Sequence, residues 1–232
     1  MAVAKYKDSN GNIKKLTNVT INLLDGLEGK ALVSTENATL SSRVDESIND
    51  KTRVLVKTGT SVWVNAKELE GKIFNYMKNQ RDEIISYEKN YNTIAYTDER
   101  VIPVYSDNEV EKKSITCFQG NAYKVEKRSD GNTIYLYIAC EILESDKKKN
   151  WGILLSNKEL SDEEMIVGGN VTDYIIDIQQ TTNNSSISYH LNFSKTSSMF
   201  LNHKKMKARA YSIIEKNGVE EIVYSKVITI QV

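Results

Sequence analysis

His190 and His203 are the only side chains in this 232-residue chain whose ordinary titration range suits proton transfer near neutrality. His190 lies in a strand-like segment, and His203 stands beside Lys204 and Lys205. Neither has a cysteine, histidine or carboxylate at the spacing of a metal site or of a nucleophile and its base. Glu159, Asp162, Glu163 and Glu164 form the densest group of carboxylates. A glycosidase sets two carboxylates across a cleft, so a group local in sequence and following Ser161 reads instead as a cap or a coated loop. Asp8-Ser9-Asn10-Gly11-Asn12 has the rhythm of a calcium loop. That loop needs its glycine two places later and a bidentate Glu where this chain has Val19, so the segment reads as a turn. Cys117 and Cys140 lack metal-ligand spacing and cannot build a disulfide framework; they read as two buried thiols of a reducing compartment. Lys147-Lys148-Lys149 reads as a solvated loop tip and Gly168-Gly169-Asn170 as a turn. No nucleophile elbow, zinc-protease motif or phosphate loop is present. These readings give no catalytic residue, no metal and no cofactor, and the expectation is a non-enzyme.

The elements that carry these residues fall into three stretches. Residues 2–21 read as a β-hairpin, with Asn10-Gly11 supplying the positive φ of a tight turn and Val3, Tyr6, Ile13, Leu16 and Ile21 as its apolar positions. Residues 22–60 are rich in Ser, Thr, Asn and Gly and read as a linker, so 1–60 is expected to be an anchoring arm. Residues 65–89 read as an amphipathic helix of roughly 36 Å within a connector spanning 61–116. Asn65 stands as its N-cap and Glu68 at the capping-box position, with Leu69, Ile73, Tyr76, Met77, Ile84 and Tyr87 along one stripe. Such a stripe must be buried, so Leu69, Ile73, Tyr76 and Ile84 are expected to make an oligomer contact. Residues 117–232 carry short strand-like runs at regular spacing, punctuated by Ser129-Asp130-Gly131, Gly168-Gly169 and Asn217-Gly218. That is the pattern of an antiparallel β-sandwich. The fold class is thus mainly β, with a hairpin arm, one central helix and a C-terminal sandwich.

Composition narrows the partners. Thirty-one basic and thirty-one acidic residues leave no net charge, which argues against duplex nucleic acid and against an anionic membrane surface. No run approaches the apolar length needed to cross a bilayer, and Met1 to Tyr6 does not read as a secretory leader.

Trp151-Gly152-Ile153-Leu154-Leu155-Ser156 and Lys207-Ala208-Arg209-Ala210-Tyr211, with Val223-Tyr224-Ser225 closing the last hairpin, resemble strands of the immunoglobulin-like and fibronectin-type-III-like modules of low-GC Gram-positive bacteria and their phages. The likeness covers the last half of the chain, and it departs from antibody domains in having no cysteine pair around Trp151. Ala4-Lys5-Tyr6-Lys7-Asp8-Ser9-Asn10-Gly11 is similar to the short opening segment of phage fibre and appendage proteins. The resemblance implies a phage virion structural protein, a fibre, decoration or other appendage subunit, assembled in the host cytoplasm. Its arm would bind other virion proteins, and its sandwich would face a host-surface glycan or protein. It also implies a homo-oligomer, with a trimer the usual state of fibres. A bacterial surface adhesin module and a β-sandwich carbohydrate-active protein are the rival readings.

Overall fold

The computed structural model describes residues 61–66, 68–169, 189–196 and 205–231 in full, together with strand backbones at 5–7, 13–15, 17–21, 31–34, 53–56, 60, 175–180 and 186–188. The chain divides into two compact units, Met1–Glu111 and Lys112–Val232.

Among the described residues the first unit has the strands β1 (Lys5–Lys7), β2 (Ile13–Lys15), β3 (Thr17–Ile21), β4 (Ala31–Ser34), β5 (Arg53–Val56), β6 (Thr60–Ala66), β7 (Ile73–Asn79), β8 (Ile84–Ser86), β9 (Asn90–Ala95) and β10 (Glu99–Ser106). β1 and β2 pair antiparallel as a two-stranded sheet. β5-β3-β10-β7-β8 form a second sheet and β4-β6-β9 a third. Period-two alternation builds the buried faces: Val62, Val64 and Ala66 on β6 lie beside Tyr91, Thr93 and Ala95 on β9. β3 runs parallel to β10 but meets it only from Glu99 to Val101. Pro103, the one proline, therefore lies beyond β3, where its missing N–H interrupts no β3–β10 pair.

The expected helix over 65–89 does not exist: no helical segment occurs among the described residues, and this stretch runs from β6 through β7 and β8. Two turns break it. Lys72 donates to the Leu69 carbonyl at 3.0 Å in a turn that places Gly71 at φ 70°. At the far end of β7, the buried side chain of Asn79 accepts from the backbone N–H groups of Arg81 (2.9 Å) and Glu83 (3.1 Å), and Asp82 takes φ 60°. A short polar side chain that binds the backbone two and four residues on competes directly with helical bonding. Between the turns Asn75, Met77 and Asn79 point inward, a period of two. The proposed stripe is thereby split: Met77 and Tyr87 are buried, Leu69, Tyr76 and Ile84 half-buried, and Ile73 is 39% exposed. Asn65 lies in β6 and caps nothing, and Glu68 pairs with Lys89. The expected linker also holds strands β4 and β5, and β3 leaves the hairpin for the second sheet. Of the arm residues, Tyr6, Ile13 and Ile21 lie on strand backbones, whereas Val3, Leu16 and the turn at 8–12 lie outside the described residues.

The second unit is a β-sandwich. Its strands are β11 (Ile115–Lys127), β12 (Gly131–Glu141), β13 (Asp146–Ser156), β14 (Ile175–Gln180), β15 (Ser186–Ser194), β16 (Lys205–Lys216), β17 (Val219–Tyr224) and β18 (Ile228–Gln231). One sheet is β11-β12-β15; the other is β14-β13-β16-β17, with β18 also on β16. All pairings are antiparallel. In the lettering of immunoglobulin-like sandwiches the order is A-B-E against C′-C-F-G, which differs from the constant-type order in carrying C′ beside C. The two sheets share one core: Phe118, Ile134 and Leu136 from the first meet Trp151, Met206 and Ile230 from the second. Asn217 (φ 53°) and Gly218 (φ 79°) make the two-residue turn between β16 and β17, the pair of positive φ values that such a hairpin requires. β17 and β18 are separated by a break at residues 225–227.

Candidate functional site

The two motif strands explain each other across the β13–β16 ladder. Gly152 stands opposite Tyr211, and a Cβ on Gly152 would lie 2.3 Å from the Tyr211 ring. Glycine at 152 is what lets the ring lie flat on the outer face of the sheet, fully buried, with Leu154 and Met165. Residues 157–169 fold over that face as a loop. Arg209, between Ala208 and Ala210 that face the main core, points outward and fastens the loop. Its guanidinium donates to the carbonyls of Ser225 (2.8 Å), Met165 (3.1 Å) and Asp162, and stacks on the Tyr224 ring at 4.3 Å. Burial holds the Arg209 pKa below its usual value. The Tyr224 hydroxyl accepts from the Val167 N–H at 2.9 Å. At the strand break the Ser225 hydroxyl accepts from the Ala210 N–H at 3.0 Å, doing the work of a missing ladder carbonyl.

The acidic group belongs to this loop. Glu164 accepts from the Ser161 N–H at 2.8 Å and Met165 donates to the Ser161 carbonyl at 3.1 Å, a capped single turn. Asp162 accepts from the Val227 N–H at 2.8 Å, and Glu159 pairs with Lys207. Hydrogen bonding to Lys207 lowers the Glu159 pKa, and backbone and Ser161 hydrogen bonds lower that of Glu163. These carboxylates tie a loop to a sheet and do not face one another across a cleft.

The outer face of β11-β12-β15 carries the other concentration of functional groups. Tyr123 and Val125, Ile134 and Leu136, and Tyr189 and Leu191 all turn to the core, so the alternate positions form two rows across three strands. Lys124, Tyr135 and His190 make one row; Glu126, Thr133 and Asn192 make the next. The Tyr135 and His190 rings meet edge to face at 4.5 Å, and Lys124 sits 5.6 Å from the Tyr135 centroid. Glu126 accepts from Lys124 (2.7 Å) and from the Tyr135 hydroxyl (2.8 Å), contacts that hold its pKa below the ordinary carboxylate value. Thr133 donates to Asn192 at 2.8 Å. His190 is thus part of a hydrogen-bonded polar and aromatic panel in which Lys124, His190 and Asn192 are exposed, Glu126 and Tyr135 half-buried and Thr133 buried. Sequence reading missed the panel because positions 124, 135 and 190 meet only through register.

His203 lies outside the described residues. Cys117 and Cys140 are buried and form no disulfide with each other, and Lys148 donates to the Cys140 sulfur at 3.1 Å. Among the described residues, no group of three or more His, Cys, Asp or Glu side chains is placed to hold a metal ion. No described helix is long and apolar enough to cross a membrane.

No family model and no curated protein sequence matches the chain. Solved structures with distant similarity include the following three. A DUF3823 family protein from Bacteroides ovatus aligns at TM-score 0.33 and 12% identity, over 93% of this chain and 98% of that one. A Bacteroides uniformis protein provisionally described as carbohydrate binding aligns at TM-score 0.33 and 13% identity, over 93% and 99%. The full-length major pilin SpaD of Corynebacterium diphtheriae aligns at TM-score 0.26 and 10% identity, over 93% and 67%. Scores this low carry no functional conclusion.

Proposed function

We propose that this chain is a non-enzymatic phage virion protein, a fibre, decoration or other appendage subunit that docks through its N-terminal strands and exposes its sandwich. The observation that supports this most is the order of the parts: a separate two-stranded sheet, β1-β2, opens the first of two compact β units. An isolated two-stranded hairpin is marginal in water, and docking onto another protein supplies the missing strands or packing. The sandwich, by contrast, has its own closed core and a second layer on one face. The loop 157–169 covers that face, whereas the panel of Lys124, Tyr135 and His190 is the surface this reading assigns to a host-surface glycan or protein. Nothing in this reading needs the helical stalk, which the strands over 65–89 replace.

The test is to purify particles released from the producing host and look for the chain by mass spectrometry and by immunogold labelling. It is expected in intact particles, and a variant lacking residues 2–15 is expected to be missing from them. A chain found only in the soluble lysate, or incorporation without residues 2–15, would overturn the reading.

A further inference from the structure

β17 is an end strand of the sheet β14-β13-β16-β17, and its outer side has no partner strand among the described residues. It is an open template for another strand. Val219 on it is 62% exposed and Ile222 37%, and Glu220 and Glu221 between them are also exposed. A second copy of the same edge is repelled, because like charges placed opposite each other destabilise a strand pair. A basic strand is not.

The chain contains such a strand. β2 and the residue after it read Ile13-Lys14-Lys15-Leu16, and β2 pairs with β1 alone among the described strands. Set antiparallel on β17, β2 brings Ile13 opposite Ile222, Lys14 opposite Glu221 and Lys15 opposite Glu220. One register pairs both charges and sets the two isoleucines side by side. It also continues the antiparallel pairing of the sheet it would extend.

We infer that β17 of one copy is the docking edge for β2 of another, so that the chain associates head to tail by strand addition. The contact is heterologous, and repetition of it gives an open string or a closed ring. The inference goes beyond the virion reading and is tested without particles.

The experiment measures the mass of the pure full-length protein by light scattering and sedimentation over a range of concentrations, at low and high salt. The average mass is expected to rise above the 26.3 kDa of one chain with concentration at low salt, and to fall back as salt screens the two ion pairs. Lys14→Glu with Lys15→Glu, or Glu220→Lys with Glu221→Lys, should each weaken association about tenfold to a hundredfold. All four substitutions in one chain should restore it, which neither misfolding nor a contact elsewhere would produce. A wild-type protein that stays at the mass of one chain at every concentration, unchanged association in either pair of variants, or failure of the fourfold variant to recover would each overturn the inference. If association fails while the chain is still found in particles, this inference falls and the virion reading stands.

Discussion

Arg209 gives the sharpest test of how the sandwich is held together. Its guanidinium is the shared donor for three carbonyls on two separate pieces of chain, Asp162 and Met165 in the covering loop and Ser225 at the strand break, and it also lies on the Tyr224 ring. Arg209→Ala leaves those carbonyls without their donor and loosens the loop that covers Leu154 and Tyr211. A hydrogen bond to a charged group contributes about 1.5–3 kcal/mol. Arg209 is half-buried, so water recovers part of the loss, and the net destabilisation should be about 3 kcal/mol. For a unit of about 120 residues with the usual unfolding entropy, that is a fall in Tm of about 12 °C. Arg209→Lys keeps the charge but cannot span three acceptors, and should lose about 2 kcal/mol. The chain has two tryptophans, so Trp63→Phe leaves Trp151, buried in the sandwich core, as the reporter of this unit in thermal and denaturant unfolding. A loss below about 1 kcal/mol for Arg209→Ala would refute the role of the network, as would a Lys variant as stable as wild type.

Gly152→Ala places a methyl against the buried Tyr211 ring and should destabilise the sandwich by about 1–3 kcal/mol, seen as a shifted denaturant midpoint with unchanged slope. Deleting residues 2–15 should leave the first unit folded. Deleting 2–21 also removes β3 from between β5 and β10 and should abolish its unfolding transition in calorimetry. Glu126 has a folded pKa below its ordinary 4.5, so its contribution to stability is complete above that value and is lost as the pH falls through the folded pKa. Glu126→Gln should therefore flatten the dependence of Tm on pH in the acid range and leave it unchanged near neutrality. Residues 112–232 expressed alone should give a β-type circular dichroism spectrum and a cooperative melt, because their core draws on that unit only.

The sandwich was legible because its signals are local. Asn217-Gly218 fixes a two-residue hairpin, and Trp151 and Ile153 or Met206 and Ala208 alternate with outward residues over strands long enough to show the period. The central stretch was misread because the spacing of Leu69, Ile73, Tyr76, Met77 and Ile84 fits a helical stripe, although Leu69 stands at a turn, the next three on β7 and Ile84 on β8. The deciding residue was Asn79, whose side chain closes a turn at the end of β7. β4 and β5 were hidden for another reason. Each has four residues and finds its partner far away in sequence, at β6 and β3 respectively, so no local pattern announces it. The Arg209 network was equally invisible, since Asp162, Met165 and Ser225 offer it backbone carbonyls, which every residue possesses.

The turn at Asn217-Gly218 also sets an order of events as the chain collapses. β16 and β17 are joined by two residues, whereas β12 must find β15 across all of β13 and β14, pairing Leu136 with Tyr189. Closing a short loop forfeits far less chain entropy than closing a long one, and it happens on a microsecond scale. The β16–β17 hairpin is therefore available early as a template on which β13 can settle, bringing Gly152 under Tyr211, while the sheet containing β15 waits on its long-range pairing. Both local hairpins, β11–β12 and β16–β17, are expected to form before the β12–β15 pairing that completes the first sheet.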